Sequence, residues 1–160
     1  YEKISSSFDN SFDMANMAFF GENLILDKIC EKDICVGDIL KIGQAKVQIT
    51  QPRQPCWKLS ANSLKNSMTK FIFETGLTGF YAKVLKEGQI SQNDDVILEQ
   101  RTNPNLTIEK LNQIIVEPKI DINLTKEALA CEDLGHQFKN SLTKRYELGD
   151  EDNQFSCYHT

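Results

Sequence analysis

A cysteine in a proline-rich stretch is the residue of this sequence best suited to chemistry. Residues 51–59 read QPRQPCWKL, so Cys56 directly follows the second of two prolines. Each proline fixes φ and restrains the residue before it to extended geometry, which predicts a stiff loop. A thiolate is a nucleophile and a soft metal ligand, and the nearby cations Arg53 and Lys58 favour its formation if their side chains turn toward it. The sequence therefore offers Cys56 as a rigidly presented thiol.

A structural interpretation of the same cysteine stays open. Free cysteines are usually buried and behave as small hydrophobes, and Cys56 is followed at once by the bulky Trp57. Composition alone favours this interpretation, because spacing by itself does not define a reactive thiol.

Arg53 and the polar residues after the first glycine are also open to two interpretations. Arg53 either clamps an anionic cofactor through its planar fork or pairs with a carboxylate such as Glu22 or Asp38. Without further context the ion pair is favoured. Glu22 and Asn23 either line a pocket or bond the amides of a turn, and turn bonding is the commoner role.

Other metal-binding and acid–base residues are poorly placed for chemistry. Cys30 and Cys35 are close in sequence, but a zinc site needs a second pair of ligands, and the two histidines lie far along the chain. His136 is expected to be an exposed helical residue, and Cys157 and His159 to belong to a solvated terminus. The motifs of P-loop, dinucleotide-binding and Ser-His-Asp enzymes are absent from the sequence.

The composition describes an ordinary globular protein of 160 residues, with 40% hydrophobic and 26% charged residues and a net charge of -5. Its 18 Lys and Arg are scattered, which argues against nucleic-acid binding. No run approaches the roughly 18 apolar residues of a membrane span, and no signal-peptide core is present. The five cysteines form no regular framework, so we expect reduced thiols in a cytosolic protein.

A β-rich segment is predicted to position the proline loop. Residues 1–17 look like irregular chain anchored by two phenylalanines, Phe8 and Phe12, and residues 19–26 predict a glycine turn followed by a short strand. Residues 36–43 predict a turn, a strand and a second turn. Residues 45–50 alternate apolar and polar side chains, which is typical of a half-buried antiparallel strand. This strand runs directly into the loop that carries the cysteine.

Beyond the loop the hydrophobic period changes to that of a helix. The apolar residues that define this helix, and the glycine that ends it, are Leu64, Met68, Phe71, Ile72 and Gly76. Residues 79–90 and 94–101 then return to strand-like runs, separated by the turns at Gly88 and at Asn93 and Asp94.

The last third of the sequence predicts a small helical bundle from about residue 105. Thr107 is predicted to cap a first helix that buries Ile108, Leu111 and Ile115 and ends before Pro118. A second helix is predicted to start at Thr125 and to carry Ala128 and Leu129. A third is indicated by the spacing of Phe138, Leu142 and Tyr146.

Four segments, in this order and at these spacings, resemble the MOSC domain, the module named for the C-terminal domain of molybdenum cofactor sulfurases. They are FFGENL, VGDILKIG, QITQPRQPCWKL and TGLTGFYAKVLKEGQI. The resemblance extends from about residue 19 to residue 115 and is closest to the stand-alone bacterial YiiM-like branch, whose C-terminal appendage the helical segment is similar to. The Pro-Arg-x-Pro-Cys element is the specific part of the match.

The resemblance implies a mainly β fold, a MOSC-type antiparallel β-barrel with a short internal helix, followed by a small C-terminal helical bundle. The predicted divisions are a barrel domain at 1–104, a helical segment at 105–148 and a flexible acidic tail at 149–160. The family carries a preceding portion with a His-Gly-Gly motif that has no counterpart before Tyr1. We therefore expect the N-terminal part of the barrel to be missing from this sequence.

The resemblance also implies a function. It predicts a molybdenum cofactor, molybdopterin, with Cys56 as the molybdenum ligand and Arg53 neutralising the pterin phosphate or holding the loop. The residues expected to shape the rest of the site are Glu22, Asn23, Phe80 and Tyr81. The implied activity reduces small N-hydroxylated compounds, such as 6-hydroxylaminopurine, to amines with an external electron donor and without pyridoxal phosphate. The helical segment beside the barrel offers a surface for a homodimer.

Two other functions remain open at this point. The protein is a non-catalytic carrier that hands the cofactor or a sulfurated intermediate to a partner enzyme, or it is a metal-free module in which Cys56 is a redox-active thiol. The basic neighbours of Cys56 motivate the second of these.

Overall fold

The structure, a computed structural model, describes residues 2–8, 18 and 20–148. Its helices and strands are, in chain order, α1 (Glu2–Ser7), β1 (Ile39–Ile42), β2 (Ala45–Pro52), α2 (Lys58–Ser63), α3 (Met68–Thr75), β3 (Phe80–Lys86), β4 (Val96–Gln100), α4 (Ile108–Val116), α5 (Ile122–Ala130) and α6 (His136–Leu148). The predicted acidic tail and Phe12 lie outside the described residues. Within those residues, no helix combines the length and hydrophobicity that a membrane crossing requires.

The strands form one antiparallel sheet in the order β3-β2-β1-β4. A tight turn at Gly43 joins β1 to β2, as predicted. Burial does not alternate fully along β2, since Gln48 is buried together with Ile49, and the register with β3 is irregular on both sides of this pair. The predicted antiparallel pairing is confirmed. In the described part of the chain, however, the sheet is open rather than a closed barrel, because the outer strands β3 and β4 do not pair with each other.

Two predictions near the start of the chain are wrong. Residues 2–7 form the short helix α1 instead of irregular chain, and Phe8 packs edge-on against Phe71 with ring centroids 5.1 Å apart. No strand forms at residues 19–26 within the described residues. Leu24 and Ile25 are 49% and 44% exposed, so the local alternation has no sheet against which to pack.

The helix predicted after the proline loop is divided into two. Leu64 adopts left-handed geometry with φ 53° and is 88% exposed, so it ends α2 and does not belong to the apolar face. Met68 and Ile72 are buried in α3, as predicted. Gly76 follows α3 with φ 69°, which confirms it as the C-terminal stop, because a left-handed conformation suits glycine.

The C-terminal helices agree with prediction except at the start of α5. The Thr107 side chain caps α4 by accepting from the amide of Lys110, and Phe138 and Leu142 of α6 are fully buried. Thr125 does not cap α5. That role belongs to Asp121, whereas the Thr125 hydroxyl is buried within the helix and donates to a carbonyl oxygen of the preceding turn at 2.8 Å.

Side chains of the sheet and of the C-terminal helices contribute to one hydrophobic core. Its buried members include Leu40 and Ile49 from the strands and Leu111 and Phe138 from the helices. The start of α6 also touches β2 directly, because the Gly135 amide donates to a β2 carbonyl oxygen at 3.1 Å. A Cβ at Gly135 would overlap the side-chain amide of Gln51, which is itself buried. The helices therefore support the strand that leads into the proline loop.

The Thr107 cap gives a first test of the fold. Thr107→Ala is expected to lower the free energy of unfolding by about 1 kcal/mol, because an amide of the first turn of α4 loses its side-chain acceptor. Thr107→Ser keeps the acceptor and should remain close to the wild type. Urea unfolding of the three proteins measures the effect, and equal stability of the alanine and serine variants would contradict the assignment.

Candidate functional site

The proline loop is anchored to the sheet where it begins. Strand β2 ends at Pro52, which pairs with Phe80 of β3, and the amide of Arg53 donates at 3.0 Å to the carbonyl oxygen just before β3. Pro55 is buried, whereas Cys56 is exposed. The loop is thus fixed at its start and packed immediately before the cysteine, as its two prolines predicted.

Cys56 is not the buried hydrophobe that composition favoured. Cys56 is a free cysteine open to solvent, and Trp57 is 66% exposed. Local geometry explains this, because the chain turns after Cys56 so that its carbonyl oxygen accepts from the Leu59 amide at 2.9 Å. Leu59, at 5% exposed, is the residue of this segment that enters the core. An accessible thiol at a fixed backbone position is the main chemical feature of the site.

Arg53 does not form the ion pair that the sequence favoured. Asp38 is paired with Arg101 at 2.7 Å, and the Glu22 carboxylate accepts two backbone amides of its own turn, both at 3.0 Å. Glu22 therefore has the turn-bonding role. None of the ion pairs between described residues involves Arg53. Its half-buried guanidinium lies beside Gly21, where an added Cβ would be 3.8 Å from Nη2. The site thus contains a cation that the described carboxylates do not pair with.

Gln54 links the loop to the C-terminal helices. Its Oε1 accepts from the Ser141 hydroxyl of α6 at 3.4 Å, while its Nε2 is buried and has no hydrogen-bond partner within the described ranges. A cavity of about 10 Å³ is lined by Gln54, Arg53 and Asn112, among others, and a space of this size holds one water molecule at most. The unpartnered amide is a donor that a bound group or a water molecule can satisfy.

Asn112 and Glu31 hold the segment that precedes β3. The Asn112 side chain, 6% exposed, donates to Gly76 O at 2.8 Å and to Thr78 Oγ1 at 2.9 Å, and Glu31 accepts from the Gly79 amide at 2.9 Å. These bonds connect α4 to the backbone that pairs with the proline loop. Neither residue was predicted from the sequence. The sequence signal for Asn112 was a polar side chain on the otherwise apolar face of α4. The sequence around Glu31 contains no comparable signal.

The remaining predicted site residues differ in their contacts with the loop and in their exposure. Phe80 and Tyr81 lie across the sheet from its first residues, Phe80 partly buried against the core and Tyr81 50% exposed. Glu22 follows Gly21, the residue that lies beside the Arg53 guanidinium. Asn23 is exposed, and its side chain makes no hydrogen bond to the described part of the protein. Phe80 and Tyr81 thus lie next to the start of the loop, whereas Asn23 has no described hydrogen bond.

Two other described cysteines, Cys30 and Cys35, have a hydrogen-bonded or a buried thiol. Cys30 is exposed, but its thiol donates to Asp33 at 2.9 Å, and this hydrogen bond raises the pKa of the Cys30 thiol. Burial, with a contribution from the Asp38 charge, raises the pKa of the Cys35 thiol. No cluster of three metal-binding side chains occurs among the residues that the structure describes. His136 is the exposed first residue of α6, as predicted.

These differences predict an order of thiol reactivity. Near neutral pH, Cys56 is expected to react with iodoacetamide several-fold faster than Cys30 and Cys35, because a raised pKa lowers the thiolate fraction and burial limits access. Peptide mass spectrometry after brief exposure measures the order. Asp33→Asn should accelerate the reaction of Cys30 only, because it removes the carboxylate that accepts a hydrogen bond from the Cys30 thiol. Equal modification of Cys30 and Cys56 in the wild type would refute the expected order.

Comparisons with known proteins agree with this architecture. The sequence matches the MOSC domain family over residues 1–97. The uncharacterized protein YflK of Bacillus subtilis is 32% identical over 128 residues, 80% of this chain and 58% of YflK. A protein named reductase from Gibberella moniliformis is 29% identical over 116 residues, 72% of this chain and 21% of that protein. The crystal structure of YiiM from Geobacillus stearothermophilus matches with a TM-score of 0.82 and 32% identity, covering 91% of this chain and 73% of YiiM.

The chain belongs to the MOSC domain family, as its motifs predicted. Within this family it is YiiM-like in sequence and in fold. It spans 58% of YflK and 21% of the protein named reductase, so the similarity covers only part of these relatives.

Proposed function

We propose that the chain is the cysteine-bearing part of a molybdenum-cofactor-dependent reductase that converts N-hydroxylated compounds to amines. The observation that carries the proposal is the exposed thiol of Cys56 on a loop fixed to the sheet, close in sequence to an arginine without a described carboxylate partner. The association of the MOSC family with the molybdenum cofactor and the relative named reductase also support it.

The chemistry of these residues fits such a cofactor. A thiolate is a soft ligand suited to a transition metal, and a guanidinium matches the geometry and charge of a phosphate. The buried Gln54 amide adds a hydrogen-bond donor beside Arg53. Cys56 would hold the metal, Arg53 the phosphate of the pterin, and Phe80 and Tyr81 would form a wall of the site.

When bound, the cofactor supplies two-electron redox chemistry at the metal. Reduction of a hydroxylamine to an amine breaks the N–O bond, consumes two electrons and two protons, and releases water. The electrons come from an external donor. The described residues would contribute binding and orientation: the proline loop restrains the backbone that carries the thiol, and Tyr81, which is 50% exposed, would line one side of the site.

The experiment is a combined metal and turnover measurement. Protein expressed from the complete coding sequence in a cofactor-producing host is analysed for molybdenum and pterin, then assayed anaerobically with 6-hydroxylaminopurine and a chemical reductant. Near-stoichiometric molybdenum with formation of adenine is expected. Molybdenum without turnover of any hydroxylamine would favour the carrier function. Absence of molybdenum would overturn the proposal and favour the redox thiol.

A further inference from the structure

A buried threonine contacts the backbone of Cys56 from the side of the core. Thr69 of α3 is 4% exposed, and its hydroxyl donates to the Cys56 carbonyl oxygen at 3.0 Å. The same oxygen accepts from the Leu59 amide at 2.9 Å. Two donors from different helices thus fix the peptide group that follows the cysteine. Met68 and Ile72, 0% and 3% exposed, flank Thr69 in α3 and secure the helix in a hydrophobic cluster.

Ser60 of α2 completes this contact. Its Oγ lies 2.8 Å from Thr69 Oγ1, accepts from the Thr69 amide at 3.0 Å and is 3.0 Å from the carbonyl oxygen of Asn66. Each hydroxyl has one proton to donate. Thr69 Oγ1 also accepts from the Ser60 amide at 3.3 Å. When Thr69 donates to Cys56, Ser60 can donate either to Thr69 or to Asn66.

The Thr69 hydroxyl depends more on partners within the protein than the Asn66 carbonyl oxygen does. Asn66 is an exposed residue, so water can bond its carbonyl oxygen in place of Ser60. Thr69 is buried, and its hydroxyl depends on partners within the protein. The Thr69 proton is therefore assigned to the Cys56 carbonyl oxygen, in agreement with the 3.0 Å contact.

We propose that Thr69 is a positioning residue for Cys56, with Ser60 fixing the direction of its hydroxyl. The inference rests on the proposed function in one respect, namely that Cys56 is the ligand that needs positioning. The prolines restrain the chain before the cysteine, and the Thr69 hydroxyl restrains it after. The thiol itself stays accessible because both restraints act on the backbone.

The test uses three threonine variants of the protein expressed from its complete coding sequence. Thr69→Val removes the hydroxyl with little change of shape, and Thr69→Ser keeps it. Thr75→Val is the matched control on the same helix, since its hydroxyl donates to Phe71 O at 2.7 Å and has no bond to Cys56. Hydrogen exchange of the Leu59 amide reports on the restrained peptide. It is expected to be about fivefold faster in Thr69→Val only.

A second amide separates positioning from general destabilisation. The Leu111 amide donates to Thr107 O at the start of α4, away from the loop, and its exchange should not change in Thr69→Val. A merely structural role would accelerate both amides. Unchanged exchange at Leu59 in Thr69→Val, or equal acceleration at Leu59 and Leu111, would overturn the positioning role.

Molybdenum retention after dialysis distinguishes this inference from the proposed function. Thr69→Val is expected to lose molybdenum several-fold faster than the wild type, and Thr69→Ser to retain it. If the wild type contains no molybdenum while Leu59 exchange responds as expected, the proposed function fails and the positioning of the Cys56 backbone stands. If the wild type and Thr69→Val retain the metal equally, Thr69 does not position the ligand.

Discussion

Replacing Cys56 with serine is expected to reduce molybdenum from near one atom per chain to background while the fold stays intact. A serine hydroxyl is a harder and far less acidic ligand than a thiol, so a soft metal–sulfur bond has no substitute. Cys56 is exposed, and its side chain is absent from both hydrophobic clusters of the described residues. We therefore expect Cys56→Ser to lose the metal without unfolding.

Elemental analysis of the wild type, Cys56→Ser and Cys30→Ser measures this effect. Cys30→Ser is the matched control, because it changes another exposed free cysteine and should retain the metal. Urea unfolding should give similar free energies for the three proteins. Stoichiometric molybdenum in Cys56→Ser would show that the ligand is another residue. Loss of molybdenum in both variants would show that the loss is not specific to Cys56.

Replacing Arg101 with glutamine is expected to lower the free energy of unfolding by about 3 kcal/mol, because it leaves a buried carboxylate without its countercharge. Asp38 is fully buried in the turn before β1, and Arg101 bonds it through Nε at 2.9 Å and Nη2 at 2.7 Å. The remaining bond to Asp38 comes from the Cys35 amide at 2.8 Å. The Arg101 side chain is 35% exposed, so water offsets part of the loss.

Lys46→Gln is the matched control for this prediction. Lys46 pairs with Glu99 at the surface, with side chains 40% and 31% exposed, and such pairs contribute about 1 kcal/mol or less. Urea unfolding of both variants gives the comparison. Asp38→Asn combined with Arg101→Gln should recover part of the stability, because no buried charge remains. If Arg101→Gln lowers the free energy of unfolding no more than Lys46→Gln does, the buried pair does not stabilise this turn substantially.

Much of the fold could be predicted because its signals are local. The turn at Gly43, the stop at Gly76 and the cap at Thr107 each depend on residues within four positions. The wrong prediction at the start of α5 arose because two nearby polar residues could both serve as its cap. Thr125 has the side chain of a cap, but its hydroxyl donates to Pro118, and the earlier Asp121 takes that role.

The residues of the candidate site also differ in whether local sequence could predict them. Cys56 was selected as the candidate residue from a short motif, because the prolines and the thiol are adjacent in sequence. Its supporting residues were not, because Thr69 contacts it from 13 positions away and Asn112 contacts the neighbouring loop across 36 and 34 positions. The Arg53 ion pair was predicted wrongly because sequence does not reveal that Arg101, 63 positions from Asp38, occupies that carboxylate.

The contact between Gly135 and β2 limits how the sequence can diverge. A side chain at residue 135 would overlap the buried side-chain amide of Gln51, so Gln51 would have to shift. A larger residue at 135 is therefore expected to be tolerated better when residue 51 is smaller. We expect these two positions, one at the entrance to the cysteine loop and one at the start of α6, to covary among descendants of this fold. Sequence changes at the start of the helical segment are in this way expected to be coupled to changes at the entrance to the loop.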